Sequence, residues 1–375
     1  LILAATSCGV NLEVFDHREW RDQPIEPSTR IGASARITTI THPPRSRGVG
    51  VRMEAAMGSS RPFRFGVINE RMQAADAWVR QARETEKLGY STFLIRDHFV
   101  PDHFGDQFAP FSALMAAANV TRTMRVGTLV IDNDYRHPVV LAKEVATLDL
   151  LSGGRFEVGL GAGFLKTEYD KAGLTFDPPG VRISRLTEAL EVLKGLFADG
   201  PVTFHGQHYR IDELDGYPKP VQRPHPPIHI GAGSKRMLML AGREANTVGL
   251  LNSSTRTGTL VDDPVERLAD TLAQKLAWVR DGAGERFPDI ELSMTMALEV
   301  TGDRRQAAET LIRAREWHTV TVAQVLDMPS IFIGSIDEIC EVMEARRERF
   351  GISYYVVPDR LRDSLAPVVE RLSGR

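Results

Sequence analysis

Residues 63–375 of this 375-residue chain predict an α/β protein, a (β/α)8 TIM barrel with insertions. Three observations carry the prediction. Short apolar runs rich in Val, Ile, Leu and Phe alternate with longer helical patterns, which marks βα units around a buried parallel sheet. There are eight such runs. The helical patterns end at glycines suited to left-handed caps. Eight strands with helices between them could also stay an open doubly wound sheet, and it is the count that favours closure.

FRFGVI (63–68) is the first expected strand, followed by the helical pattern ADAWVRQARETEKLG, which stops at Gly89. STFLIR (91–96) and RVGTLVI (125–131) are the second and third. The next helix, HPVVLAKEVATLDLLSGG, carries Pro138 in its first turn and stops at Gly153. RFEVGLG (155–161) is the fourth strand. After it, Leu186, Ala189, Leu190, Leu193, Leu196 and Phe197 recur at three and four residues, forming one buried helical stripe. The segment 202–227 predicts a hairpin turning near His205 to Gln207 and a Pro-rich connector, inserted before the fifth strand, PIHIGAG (227–233). A helix is expected from near Ser234, then strands TVGLLN (247–252) and IELSMTMALEV (290–300). The stretch 317–331 is a longer excursion before a helix near Ser335, and ISYYVV (352–357) closes the set.

Residues 1–62 lack sustained periodicity and are expected to be a disordered or artefactual extension, with a natural start at Met53 or Met57. A signal or lipid-attachment remnant ending at Cys8 is the weaker alternative, because its apolar run is short. Lys+Arg 46 against Asp+Glu 49 leaves a formal net charge of −3, which argues against a nucleic-acid partner. No stretch approaches the roughly 20 apolar residues that span a bilayer. Two cysteines, Cys8 and Cys340, provide neither a disulfide framework nor a thiolate metal site, and a reducing cytoplasmic compartment fits.

In a barrel, residues just after the strands face the pocket, so each strand end is a candidate site. The second strand ends in Asp97-His98, a carboxylate and imidazole able to act as acid or base or to hold a cofactor ring; the alternative is a loop cap beside a solvent-facing side chain. After the third, Asp132-Asn133-Asp134 has turn chemistry as its default. After the fourth, Gly159, Gly161 and Gly163 would let backbone approach a flat or phosphorylated ligand, although the spacing is not a dinucleotide fingerprint. After the fifth, Gly231, Ala232, Gly233 and Ser234 feed a helix N-terminus, which suits a phosphate as well as it suits a tight turn with a Ser cap. The ten histidines show no metal-binding spacing, and no GxSxG elbow occurs, so no metal is expected.

The run LDLLSGGRFEVGLGAGFLKTEYDKAG (148–173), with FRFGV, RDHF, RHPVVLAKEVATLD and PIHIGAGSKRMLMLAGREA, resembles the luciferase-like monooxygenase superfamily, in particular its coenzyme F-420-dependent oxidoreductases. The likeness spans 63–375 and leaves 1–62 without a counterpart. It implies a (β/α)8 barrel binding coenzyme F-420 (a deazaflavin) or FMN at the C-terminal mouth, with Asp97 and His98 beside the ring. It also implies a bulge with a non-prolyl cis peptide on the third strand, expected at Thr128-Leu129. Gly161, Ala162 and Gly163 would line the ring or its ribityl chain. The cofactor phosphate would rest on Gly231, Ala232, Gly233 and Ser234, with Asn252 or Ser253 assisting. Sugar-phosphate dehydrogenases of the deazaflavin group carry Glu where this chain has Phe164, which argues against glucose 6-phosphate and for a more apolar pocket.

The expected activity is hydride transfer between coenzyme F-420 and a small organic substrate. The alternatives are an FMN monooxygenase using molecular oxygen and a non-catalytic flavin-binding barrel. A symmetric homodimer is the expectation for a barrel enzyme.

Overall fold

The computed structural model describes residues 61–375 except 102, 103 and 256. Cys8, Met53, Met57 and nearly all of the expected extension lie outside the described residues. Eight parallel strands build the sheet: β1 (Arg64–Asn69), β2 (Thr92–Ile95), β3 (Arg125–Thr128), β4 (Phe156–Gly161), β5 (Ile228–Ala232), β6 (Thr247–Leu250), β7 (Glu291–Thr295) and β8 (Ile352–Pro358). Their hydrogen-bonded order is 3-2-1-8-7-6-5-4, and β3 pairs back onto β4 with Val126 opposite Phe156, so the sheet closes into a barrel.

Alternation along each strand divides the apolar side chains between two cores. In β1, Phe65 and Val67 belong to the large core shared with the surrounding helices, whereas Ile68 joins Leu94, Tyr354 and Val356 in a separate cluster. That smaller cluster fills the inside of the cylinder, with Leu129 packed against it. Outside, helix Pro179–Phe197 buries the whole expected stripe, from Leu186 to Phe197, at 3 % exposure or less. Each Leu or Phe of the stripe contributes roughly 1.5–3 kcal/mol. Helix Ala75–Lys87 is followed by Gly89, and helix Pro138–Leu151 by Gly153, both with positive φ as their caps require.

Two expectations need correction. The run 290–300 is not one strand: the Met296 amide still bonds the Val356 carbonyl of β8, but the Ala297 amide turns to Ser330. Strand Ala297–Val300 thus leaves the barrel and pairs in parallel with Ile331–Gly334, a strand absent from the sequence reading. The excursion between them folds over its own core of Trp317, Val325, Met328, Ile331 and Ile333, and that core draws the chain away. The third run also breaks. β3 ends at Thr128, and Ile131–Asp132 resumes pairing with β4 after the interruption. The non-proline cis peptide lies at Leu129-Val130, one bond beyond the expected Thr128-Leu129. The hairpin before β5 forms from Val202–His205 and Arg210–Leu214, its turn held by Glu188, which accepts from the Gln207, His208 and Tyr209 amides.

Charge closes the N-terminal end of the barrel. Arg64, the first residue of β1, donates to Glu157 of β4 at 2.7 Å and to Glu291 of β7 at 2.7 and 2.8 Å, while stacking over the Tyr354 ring. Arg125, the first residue of β3, adds a 2.5 Å bond to Glu157. Burial pushes the Glu157 carboxyl up, but Arg64 and Arg125 more than offset it and hold it down at about 2. Two cations and two carboxylates balance at the end of the barrel that serves stability rather than chemistry.

Candidate active site

The C-terminal ends of the strands carry the chemistry-bearing residues. Asp97 and His98 both follow β2, yet they point into different networks. The buried Asp97 carboxylate takes two bonds from the Arg136 guanidinium, at 2.5 and 3.3 Å, and a third at 3.3 Å from the Asp132 amide. Burial raises its pKa against the pull of Arg136. His98 lies with Nδ1 2.9 Å from Glu168 Oε2. Its ring stacks on Phe104 at 4.7 Å and meets Phe164 edge-on at 6.2 Å. Nε2 of His98 has no hydrogen-bond partner among the described residues, and the side chain is partly exposed.

Glu168, on the short helix Lys166–Ala172, is 1 % exposed and fully engaged. Its Oε2 also accepts from the Tyr135 hydroxyl at 2.9 Å, and its Oε1 accepts from the Phe99 and Val100 amides at 2.6 and 3.1 Å. Burial would raise this carboxyl, but the His98 bond and the other donors bring it below the usual carboxylate range. The next residue, Tyr169, donates to Asp132 and Asp134. Burial, opposed by the Asp134 amide, pushes Asp132 up to about 7. The expected turn at 132–134 does form, as a 3-10 helix capped by Asp132, but its carboxylates are also wired to Tyr169 and Arg185.

Several predicted ligand-side residues have structural work of their own. The Thr128 hydroxyl bonds both the amide and the carbonyl of Gly159, at 2.8 and 3.0 Å, tying β3 to β4. Leu129 caps the inner core. The interruption after β3 drives Val130 against β4: a Cβ on Gly161 would sit 2.7 Å from Val130 Cγ2, and one on Gly159 would overlap the Thr128 carbonyl. Those two glycines are therefore needed for strand packing, with or without a ligand. Gly163 has φ +68°, and a side chain there would collide with the Tyr169 hydroxyl and the Asp132 carboxylate. Arg182 bonds the carbonyls of Ala162 and Gly163 and so pins this loop to the long helix.

The fifth strand end differs. A Cβ on Gly231 would meet nothing closer than Val130 methyls at 3.5 Å, and Gly231 and Gly233 are half-buried. Ser234 is exposed and makes no cap bond to helix Lys235–Glu244, so its hydroxyl and the first-turn amides are uncommitted. Asn252, after β6, donates to the Thr295 carbonyl at 2.9 Å, which fixes its amide at the β6–β7 rim. A phosphate-bearing ligand fits this cradle. Among the described residues no group of His, Cys, Asp and Glu could hold a metal ion, and no helix is long and apolar enough to cross a membrane.

A profile of the luciferase-like monooxygenase family matches residues 56–318. The chain belongs to that family. It is an oxidoreductase, as the family is. An F-420-dependent glucose-6-phosphate dehydrogenase of Nakamurella multipartita is 31% identical over 255 residues, covering 66% of this chain and 71% of that protein. Among solved structures, the coenzyme F-420-dependent tetrahydromethanopterin reductase of Methanopyrus kandleri superposes with a TM-score of 0.64 at 20% identity, covering 83% of this chain and 98% of that one. A long-chain alkane monooxygenase superposes with a TM-score of 0.66 at 14% identity, covering 83% and 91%. At these identities the two structures speak for the barrel alone.

Asp97 and His98 stand out in the sequence, whereas nothing in it assigns a role to Glu168 or Arg136. Glu168 stands inside the motif run that carries the family resemblance, and that was its only signal. Arg136 sits between the Asp132-Asn133-Asp134 turn and Pro138 with no local mark of its role. Neither pairing has a local signature, since the partners are 70 and 39 residues apart.

Proposed function

We propose that residues 63–375 form a deazaflavin-dependent oxidoreductase domain that moves a hydride between coenzyme F-420 and a small organic substrate. The observation that carries this reading is His98: one ring nitrogen is anchored on a buried carboxylate, and the other is uncommitted at the mouth of a barrel whose fifth strand end fits a phosphate. The similarity to an F-420-dependent dehydrogenase supports the choice of cofactor. When bound, the deazaflavin supplies a carbon that gives or accepts hydride, the redox part of the reaction.

The chain's residues do the rest. Gly231, Ala232, Gly233 and Ser234 hold the phosphate with backbone amides and the positive helix end, and Asn252 stands at the adjoining rim. The segment Leu129-Val130 and the loop of Gly161, Ala162 and Gly163 form the floor and side of the ring site. His98 Nε2 exchanges the substrate proton. Asp97 orients rather than titrates, because both its oxygens are committed to Arg136. Phe104 and Phe164 surround the imidazole with apolar surface, which favours a substrate with an apolar body over a sugar phosphate.

Titration of the full chain with coenzyme F-420 and with FMN, followed by single-turnover reduction or oxidation with candidate alcohols and ketones, tests the reading. Binding of coenzyme F-420 and a His98→Gln variant that binds it equally well but turns over roughly 100-fold more slowly are expected. Binding of FMN alone would overturn the choice of coenzyme F-420, and unchanged turnover in the variant would remove His98 from the chemistry.

A further inference from the structure

We propose that Glu168 is a positioning residue that fixes His98 as its Nδ1–H tautomer, leaving the unprotonated Nε2 to face substrate, so that the neutral enzyme is set to take a proton from a hydroxyl group. This rests on the reading of His98 as the proton-exchanging residue. It assigns the direction of that exchange and the substrate class, an alcohol with an apolar body.

Donors and acceptors around one carboxylate carry the inference. Four groups converge on Glu168: the amides of Phe99 and Val100 on Oε1, and the Tyr135 hydroxyl and His98 Nδ1 on Oε2. The two amides can only donate. An ionised carboxylate accepts all four, and together these donors hold it below the usual carboxylate range, so at neutral pH it carries no proton to offer Nδ1. With the carboxylate ionised, Nδ1 must carry the proton to bond it, and a neutral imidazole then has its lone pair on Nε2. The ring cannot readily turn to exchange its nitrogens, because Phe104 stacks on one face and Phe164 closes an edge. The amides that Glu168 holds belong to the two residues after His98, so the same carboxylate fixes both the backbone carrying the imidazole and its tautomer. In the step itself the substrate O–H bond breaks, its proton bonds Nε2, and the electron pair stays on the substrate oxygen. The resulting imidazolium is stabilised by the Glu168 charge 2.9 Å from Nδ1.

Glu168→Gln makes this falsifiable with almost no change of shape. The amide oxygen must stay on the Phe99 and Val100 amides, so the NH2 group is turned toward His98 and Tyr135. Nδ1 then becomes an acceptor and the proton moves to Nε2. The measurement is the ¹⁵N spectrum of histidine-labelled full-length protein without cofactor, at a pH where His98 is neutral, with the His98 signals assigned by their loss in His98→Gln. The wild type is expected to show a protonated Nδ1 and a bare Nε2, Glu168→Gln the reverse pattern, and Tyr135→Phe the wild-type pattern. In turnover, Glu168→Gln should match the roughly 100-fold loss of kcat of His98→Gln, with KM changed far less. A wild-type Nε2–H tautomer, or an even mixture of the two, overturns the proposal, and this measurement does not depend on the Glu168 variant folding. An unchanged tautomer in a folded Glu168→Gln protein also overturns it. The expected tautomers together with full activity in His98→Gln would leave the assignment of Glu168 standing and defeat the proposed function instead.

Discussion

Replacing Glu157 with Gln at the closed end of the barrel should destabilise the protein without touching the cofactor site. The wild-type carboxylate is bonded by Arg64 at 2.7 and 3.2 Å and by Arg125 at 2.5 Å, and its side chain is 6% exposed. A fall of its pKa from 4.5 to about 2 corresponds to about 3 kcal/mol of native-state stabilisation. Removing one partner of a buried pair costs about 3–5 kcal/mol by independent measure, and the lower end applies because Arg64 keeps Glu291 and is itself 21% exposed. A loss of about 3 kcal/mol should lower the thermal midpoint by roughly 5–10 °C. The sign of the pH dependence follows from the depressed pKa. The contribution is complete above pH 4.5 and is lost as the pH falls toward 2, so the gap between wild type and variant should be flat from pH 5 to 8 and close in acid. Differential scanning calorimetry across that range, with coenzyme F-420 titrations at 20 °C, would check both halves. Equal midpoints at pH 7, or a gap that persists undiminished at pH 2.5, would refute the reasoning. So would a weakened cofactor affinity in the folded variant.

Ser234→Asp should separate folding from binding at the fifth strand end. Asp is a good helix N-cap where Ser234 makes no cap bond, so stability should hold or rise slightly, whereas a carboxylate in a phosphate cradle should weaken coenzyme F-420 at least 10-fold; calorimetric titration decides, and unchanged affinity would move the phosphate elsewhere. Asp132 carries the opposite pH signature to Glu157. Its pKa is raised to about 7, so its contribution is complete below pH 3.8 and is lost as the pH rises through 7. Asp132→Asn should therefore gain in thermal midpoint relative to wild type between pH 5 and 8, and a gap that does not move with pH would contradict the buried, raised carboxyl.

The sequence by itself determined the barrel and where its mouth would be. Short runs of Val, Ile, Leu and Phe suit strands buried on both faces, and eight of them punctuated by capped helices favour a closed cylinder over an open sheet. The stripe from Leu186 to Phe197 and the glycine caps after residues 87 and 151 were legible for the same reason: the side-chain period and the φ requirement are local. Asp97 and His98 were candidates because they follow directly on a strand end, where a barrel opens its mouth. What only the tertiary structure decided is which group each of them meets. Arg136 takes Asp97 and leaves His98 to Glu168, and neither partner can be read from spacing, because the loops after β2, β3 and β4 converge only once the cylinder closes. Strand Ile331–Gly334 was missed on similar grounds: four residues carry little periodicity, and only the separate core beneath them makes them a strand. The glycines of β4 show the limit most clearly. Their absence of side chains suggested an approaching ligand, yet the space at Gly159 and Gly161 is taken by the Thr128 carbonyl and the Val130 methyls, because closing the barrel presses an interrupted β3 onto its neighbour.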